Sequence, residues 1–176
     1  MIVNRQRSIR VPIRDLEEFL ARAMKELGLP SDAAAVSLVS SAQIRKWNAK
    51  YRGKDKPTDV LSFPTTHSVI KRNKTNRSRT SGAPKKSRKP ARNALSSTYF
   101  AADPSSTSYL GDIAIAPAVA KRNAALYGRT FDQEMRILFL HGILHLMGYD
   151  HETDNGQMER RERRLRRSLG LEGDAA

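Results

Sequence analysis

The sequence predicts an α+β layered fold, with a small mixed four-stranded sheet packed against about five helices. Three observations predict it. Short strand-like and helix-like segments follow one another in the order β-α-β-α-β-β-α-α-α. The helix expected after Thr130 carries Met135, Ile137, Leu138, Phe139, Leu140, Ile143, Leu144, Leu146 and Met147, apolar around nearly its whole circumference, so other elements must bury it. A length of 176 residues suits one domain with one core, and no internal repeat is present.

The elements follow in order. "MIVNRQR" reads as the first strand. Pro12 sits where a first helical turn tolerates proline. Leu16, Phe19, Leu20, Ala23 and Leu27 then recur at helical spacing until Gly28 and Pro30 stop the helix. "AAAVSLVS" reads as the second strand. Ser41 is suited to cap a short helix whose inner face is Ile44, Trp47 and Tyr51. "TDVLSFP" reads as the third strand, closed by Pro64. "YLGDIAIAP" alternates as the fourth, with Ile113 and Ile115 on one face and Asp112 on the other. Pro117 opens a helix that ends near Gly128. Thr130 with Gln133 reads as a capping box for the buried helix, and Asp154 with Gln157 as another for the last helix. That last helix, running through "RRERRLRRSLG", sets Met158, Leu165 and Leu169 on a buried stripe. Its arginines make either a solvated face, partly paired with Glu159 and Glu162, or a phosphate-contacting one.

Charge is unevenly spread. The chain carries +14, and residues 65–108 hold ten Lys or Arg against the single acid Asp103, a net of +9 that leaves +5 for the other 132 residues. Rich in Ser, Thr, Asn, Pro and Gly, this segment has too little apolar surface to offset its ordering entropy. It is expected to be a disordered insert within one domain spanning residues 1–176, either a solvated loop or a basic arm that tracks phosphates. So basic a chain points to a polyanionic partner, nucleic acid before membrane surface. The absence of cysteine excludes disulfides and thiolate metal sites. "MIVNRQRSIRVP" has no apolar core of a secretory signal, and no apolar run reaches the roughly 18 residues of a membrane span, so a cytoplasmic protein is expected.

Three of the four histidines fall within "HGILHLMGYDH", residues 141–151. His141 and His145 are four apart, about 40° around a helix, and can converge on one point. Gly148 lets the helix stop with positive φ, so that His151 can return over the same face. Three nitrogen ligands with a fourth position open are the arrangement of a catalytic Zn²⁺ site, though imidazoles also bind Cu²⁺, Ni²⁺ or Co²⁺. Asp150 and Glu152 flank His151, either as orienting carboxylates or as solvated turn residues; His67, at the start of the insert, is not expected to be a ligand. The spacing is that of the long zincin motif, in which the residue after the first histidine is a glutamate general base. Here it is Gly142, which argues against a peptidase and leaves close helix packing or close substrate approach as the reason for glycine.

At these residues the chain resembles a known family. "HGILHLMGYDH" is similar to the signature of the YbeY family of bacterial endoribonucleases, which act in ribosomal RNA maturation. "NAKYRGKDKPTDVLSFP" resembles its other characteristic block, and "YLGDIAIAP" its next strand. The likeness spans most of the chain outside residues 65–108, where family members usually have a much shorter linker. It implies a zinc-dependent endoribonuclease specific for single strands, acting at the 3′ end of 16S ribosomal RNA and in ribosome quality control, with ribosomal RNA and the small ribosomal subunit as partners. It implies His141, His145 and His151 as zinc ligands and maps the family's functional arginine onto Arg52, which is otherwise a turn residue beside Gly53. Guanidinium donors suit the charge that develops on a phosphate. The nucleophile stays open between metal-activated water and the RNA's own 2′-hydroxyl. Two other readings stand beside this one: a zincin-type peptidase, and a non-catalytic ribosome assembly factor with a structural metal.

Overall fold

The computed structural model describes residues 1–65, 109–151 and 153–171. Nearly all of the basic insert, with His67, therefore lies outside the described residues, as does Glu152. The elements are β1 (Ile2–Asn4), α1 (Ile13–Glu26), β2 (Ala34–Leu38), α2 (Ser41–Arg52), β3 (Val60–Pro64), β4 (Gly111–Ile115), α3 (Pro117–Leu126), α4 (Phe131–Leu146) and α5 (Gln157–Ser168). This is the expected α+β order.

The four strands form one mixed sheet in the order β1-β2-β4-β3. β1, β2 and β4 run parallel, and β3 runs antiparallel to β4, with Ser62 opposite Ile113. Leaving the insert, the chain joins the centre of the sheet beside β2, which keeps β3 at the edge. An edge position also suits Pro64, which has no N–H to donate to a ladder.

The apolar circumference of α4 is explained by its neighbours, since it packs against β3, β4, α1, α3 and α5. Met135, Phe139, Leu140, Ile143 and Leu144 are wholly buried. α1 covers the same core with Leu16, Phe19, Leu20, Ala23 and Met24. Thr130 and Gln133 form the expected capping box at the start of α4.

Gly142 is explained by packing. A Cβ built there would lie 2.9 Å from Cγ2 and 3.0 Å from Cδ1 of Ile113, itself fully buried on β4. Glycine thus lets α4 lie close on the sheet, and of the two reasons considered from sequence it is packing, not substrate approach, that the contacts account for. Gly142→Ala gains helix propensity of about 1 kcal/mol but overpacks the core by about 1–3 kcal/mol. A net loss of up to about 2 kcal/mol is expected, read as a lowered midpoint in thermal unfolding; a raised midpoint would refute the packing account.

Four local expectations are corrected. β1 ends at Asn4 because Asn4 Oδ1 accepts from the Gln6 N–H and the buried Gln6 side chain bonds both the N–H and the C=O of Ile9, bending the chain out of the sheet. α2 is capped by Ser40, whose Oγ accepts from the Gln43 N–H, one residue before the expected Ser41. Tyr51 is 57% exposed rather than on an inner face: it lies in the last turn of α2, where the ring meets Phe63 edge-on at 5.4 Å and carries the Lys50 ammonium 5.0 Å from its centroid. α5 starts two residues later than expected, with Gly156 as N-cap at φ 72°; Asp154 still caps from upstream, accepting from the Met158 N–H at 2.7 Å.

Candidate metal centre and its groove

Two of the three histidines sit on the last turns of α4, and the third follows the turn that ends it. Gly148 adopts φ 82°, its N–H bonding the His145 carbonyl at 2.9 Å while the Tyr149 N–H bonds that of Leu144 at 3.0 Å. This double closure is a Schellman motif. Beyond it the Asp150 carbonyl accepts from the N–H groups of Thr153 and Asp154, and the Thr153 hydroxyl donates to the Asp150 carboxylate. The chain so turned brings His151 back to the other two. One ring nitrogen from each of His141, His145 and His151 lies within 4.8 Å of the others.

The hydrogen bonds fix the tautomers. His141 Nδ1–H donates to Glu162 Oε2 at 3.1 Å, and His145 Nδ1–H donates to the Tyr149 carbonyl at 3.0 Å. With both Nδ1 atoms engaged as donors, each neutral ring presents its Nε2 lone pair, and these two Nε2 atoms face each other 3.0 Å apart. Two lone pairs at that distance repel unless a proton or a metal ion lies between them. Tetrahedral Zn²⁺ with Zn–N bonds near 2.05 Å would set its nitrogens about 3.3 Å apart. The donor set therefore fits a divalent ion. Burial, followed by the nearness of His141 and His151, holds the His145 imidazole below its usual pKa, which favours the neutral ligand form.

Glu162, like Tyr51, is a residue that sequence reasoning placed wrongly. It was expected on a solvated arginine face, yet it is 9% exposed and lies between His141 and Arg166, with both of which it pairs. Burial pushes its carboxyl up, but the hydrogen bond from His141 and the charge of Arg166 outweigh this, leaving its pKa lowered. The signal was present: Met158, Glu162, Leu165 and Leu169 share one helical stripe, and an acid inside an apolar stripe calls for a partner. The Nδ1 partners of His141 and His145 thus come from Glu162 and the Tyr149 carbonyl, rather than from the carboxylates beside His151.

A groove of about 600 Å³ runs from the histidines past β3 to the end of α2. Its lining includes His141, His145 and His151 together with Tyr51, Arg52, Ser62, Phe63 and Tyr149. Arg52 is exposed as the last residue of α2, and Gly53 at φ 67° turns the chain away. Among the described residues Arg52 has no ion-pair partner. The loop behind it is held firmly. Buried Asn48 donates to the Lys56 carbonyl at 2.8 Å, Arg45 grips both carboxylate oxygens of Asp55, and Asp59 accepts from Asn123 on α3. The Ser62 hydroxyl donates to the Gly142 carbonyl, tying the groove wall to the metal helix.

The family model described as Endoribonuclease YbeY matches residues 1–170. An endoribonuclease YbeY of Koribacter versatilis is 34% identical over 171 residues, covering 97% of this chain and 86% of the relative. One of Heliobacterium modesticaldum is 33% identical over 161 residues, covering 89% of this chain and 82% of the relative, and one of Solibacter usitatus is 35% identical over 158 residues, covering 89% and 78%. The solution structure of a Thermotoga maritima protein superposes with a TM-score of 0.54 at 25% identity, covering 96% of this chain and 89% of that one. With its three-histidine centre at the end of a buried helix and this likeness along nearly its whole length, the chain belongs to the YbeY endoribonuclease family.

Proposed function

We propose that this protein is a zinc-dependent endoribonuclease that cuts single-stranded RNA in ribosomal RNA maturation, at the 3′ end of 16S ribosomal RNA, and in ribosome quality control on the small subunit in the cytoplasm. The observation that carries the reading is the convergence of three imidazole nitrogens in a groove that Arg52 also lines. His141, His145 and His151 would hold the ion, and all three line the groove. When bound, a divalent cation there polarises a phosphoryl oxygen and lowers the pKa of water. The remaining roles fall to the chain. Arg52 offers its donors to the charge that develops on the scissile phosphate. Tyr51, Phe63 and Tyr149 offer ring faces on which unpaired bases can stack, which supports a single-stranded rather than a duplex substrate. We take the whole chain, basic insert included, as one hydrolase domain. Among the described residues no helix is long and apolar enough to cross a membrane.

A zincin-type peptidase is disfavoured because Gly142, where the general base would stand, is packed against Ile113. A non-catalytic assembly factor is separated from the nuclease by Arg52. Arg52→Ala is expected to lower cleavage of single-stranded RNA about 30–100-fold, less than for a fully buried donor because this arginine is exposed, and Arg52→Lys should recover only part of it. Bound metal, measured by elemental analysis, should be unchanged. Metal-loaded wild type that leaves single-stranded RNA intact would overturn the nuclease reading, and cleavage indifferent to Arg52→Ala would remove Arg52 from it.

A further inference from the structure

Cutting inside a strand leaves RNA on both sides of the broken bond, so the substrate must leave the metal centre in two directions. The groove past Arg52 takes one flank. A second groove, of about 880 Å³, opens between α4 and α5, and His141 and His151 line both. We infer that this second groove seats the phosphates of the other flank of a single-stranded RNA, with Arg163 as its principal cation. The inference rests on the nuclease reading and adds to it a second strand-binding subsite.

Three arginines line this groove, and their partners distinguish them. Arg129 is paired with Glu134 and Arg166 with Glu162, and both of these carboxylates are buried, with side chains 3% and 11% exposed. Withdrawing either arginine would strand a buried charge, so both are committed to the fold. Arg163 is different. Its partner is Glu159 one turn earlier, and the two side chains are 54% and 70% exposed. An exposed pair of this kind is weak and exchangeable, and a guanidinium has five donors, more than one carboxylate engages. A phosphate entering the groove can therefore take over Arg163, while Glu159, on the same wall, opposes it. The same geometry accounts for part of the arginine-rich character of α5, of whose arginines only Arg163 and Arg166 line the groove.

Opposite signs make the test sharp. Binding of a fluorescently labelled single-stranded RNA to the metal-loaded protein is followed by anisotropy, before cleavage accumulates, across a range of salt concentrations. Arg163→Ala is expected to weaken binding about five-fold and to flatten the salt dependence by about one phosphate contact. Glu159→Ala is expected to tighten binding. In cleavage assays, oligonucleotides are shortened stepwise on either side of the cut. Arg163→Ala should raise KM without changing kcat, and should abolish the penalty for shortening on one side only. If both variants bind RNA like wild type, or if the effect is shared equally between the flanks, the subsite is overturned. If RNA binds with these shifts but is never cut, the nuclease reading fails while the groove stands. If RNA is cut normally and neither variant changes binding, the groove fails while the nuclease stands.

Discussion

His141→Ala is expected to lose its metal and its RNA cleavage together, with bound ion falling from about one per chain to near zero and cleavage falling by at least about 1,000-fold. The magnitude follows from the donor set. His141 and His145 each have one ring nitrogen occupied by a protein acceptor, so each has a single nitrogen to give, and the pair faces inward at 3.0 Å. Removing one leaves two ligands, one of them the exposed His151 on the turn. The ion also joins the end of α4 to the turn after it, so its loss should be visible in stability. A ligand present at 1,000 times its dissociation constant stabilises the native state by about 4 kcal/mol, on the order of 10 °C in the unfolding midpoint of a chain this size. Chelation should lower the midpoint of wild type by such an amount and leave that of His141→Ala unmoved. His145→Ala, whose lost partner is only a backbone carbonyl, should behave alike and guards against an effect of the Glu162 carboxylate left behind. A His141→Ala protein that keeps both metal and cleavage would exclude the three-histidine centre.

What the sequence disclosed and what it concealed follow one physical line. Periodicity is a local signal, and it disclosed the order of elements, the burial of α4 and the stop at Gly148. The histidines were legible for the same reason, since four residues of helix and a glycine stop fix where their rings can go. Contacts between elements distant in sequence are not encoded in spacing. Gly142 is a glycine because of Ile113, 29 positions earlier and on a strand, and no helical pattern announces that. Tyr51 lies at the right helical angle to be buried, but it falls in the last turn of α2 and stays 57% exposed. That Arg52 lines the same groove as the histidines depends on the loop held by Asn48, Asp55 and Asp59, so spacing alone left it a turn residue. Glu162 stands between the two cases, marked by its apolar stripe but identified only by the ring that it meets.

Glu162→Ala is expected to weaken metal binding about 10–100-fold and to destabilise the fold by about 3 kcal/mol. Glu162 acts on the ion through His141, holding the proton on Nδ1 and so leaving Nε2 free to bind; it is a positioning residue. With alanine in its place the His141 ring can turn and exchange tautomers, and the ligand must be ordered again on every binding event. The stability loss has a separate origin. Arg166 has a side chain only 26% exposed and its Nε makes no hydrogen bond, so its interaction with Glu162 is what compensates its burial. Glu162→Gln separates the two effects. Its amide oxygen can still accept from His141 Nδ1, but it has no charge to offer Arg166. Metal affinity, measured by competition with a chromogenic chelator, should return to within a few-fold of wild type in Glu162→Gln, while the unfolding midpoint remains lowered. Equal losses of affinity in the alanine and glutamine variants would mean that charge, and not the tautomer, is what Glu162 supplies; wild-type affinity in Glu162→Ala would mean that it supplies neither.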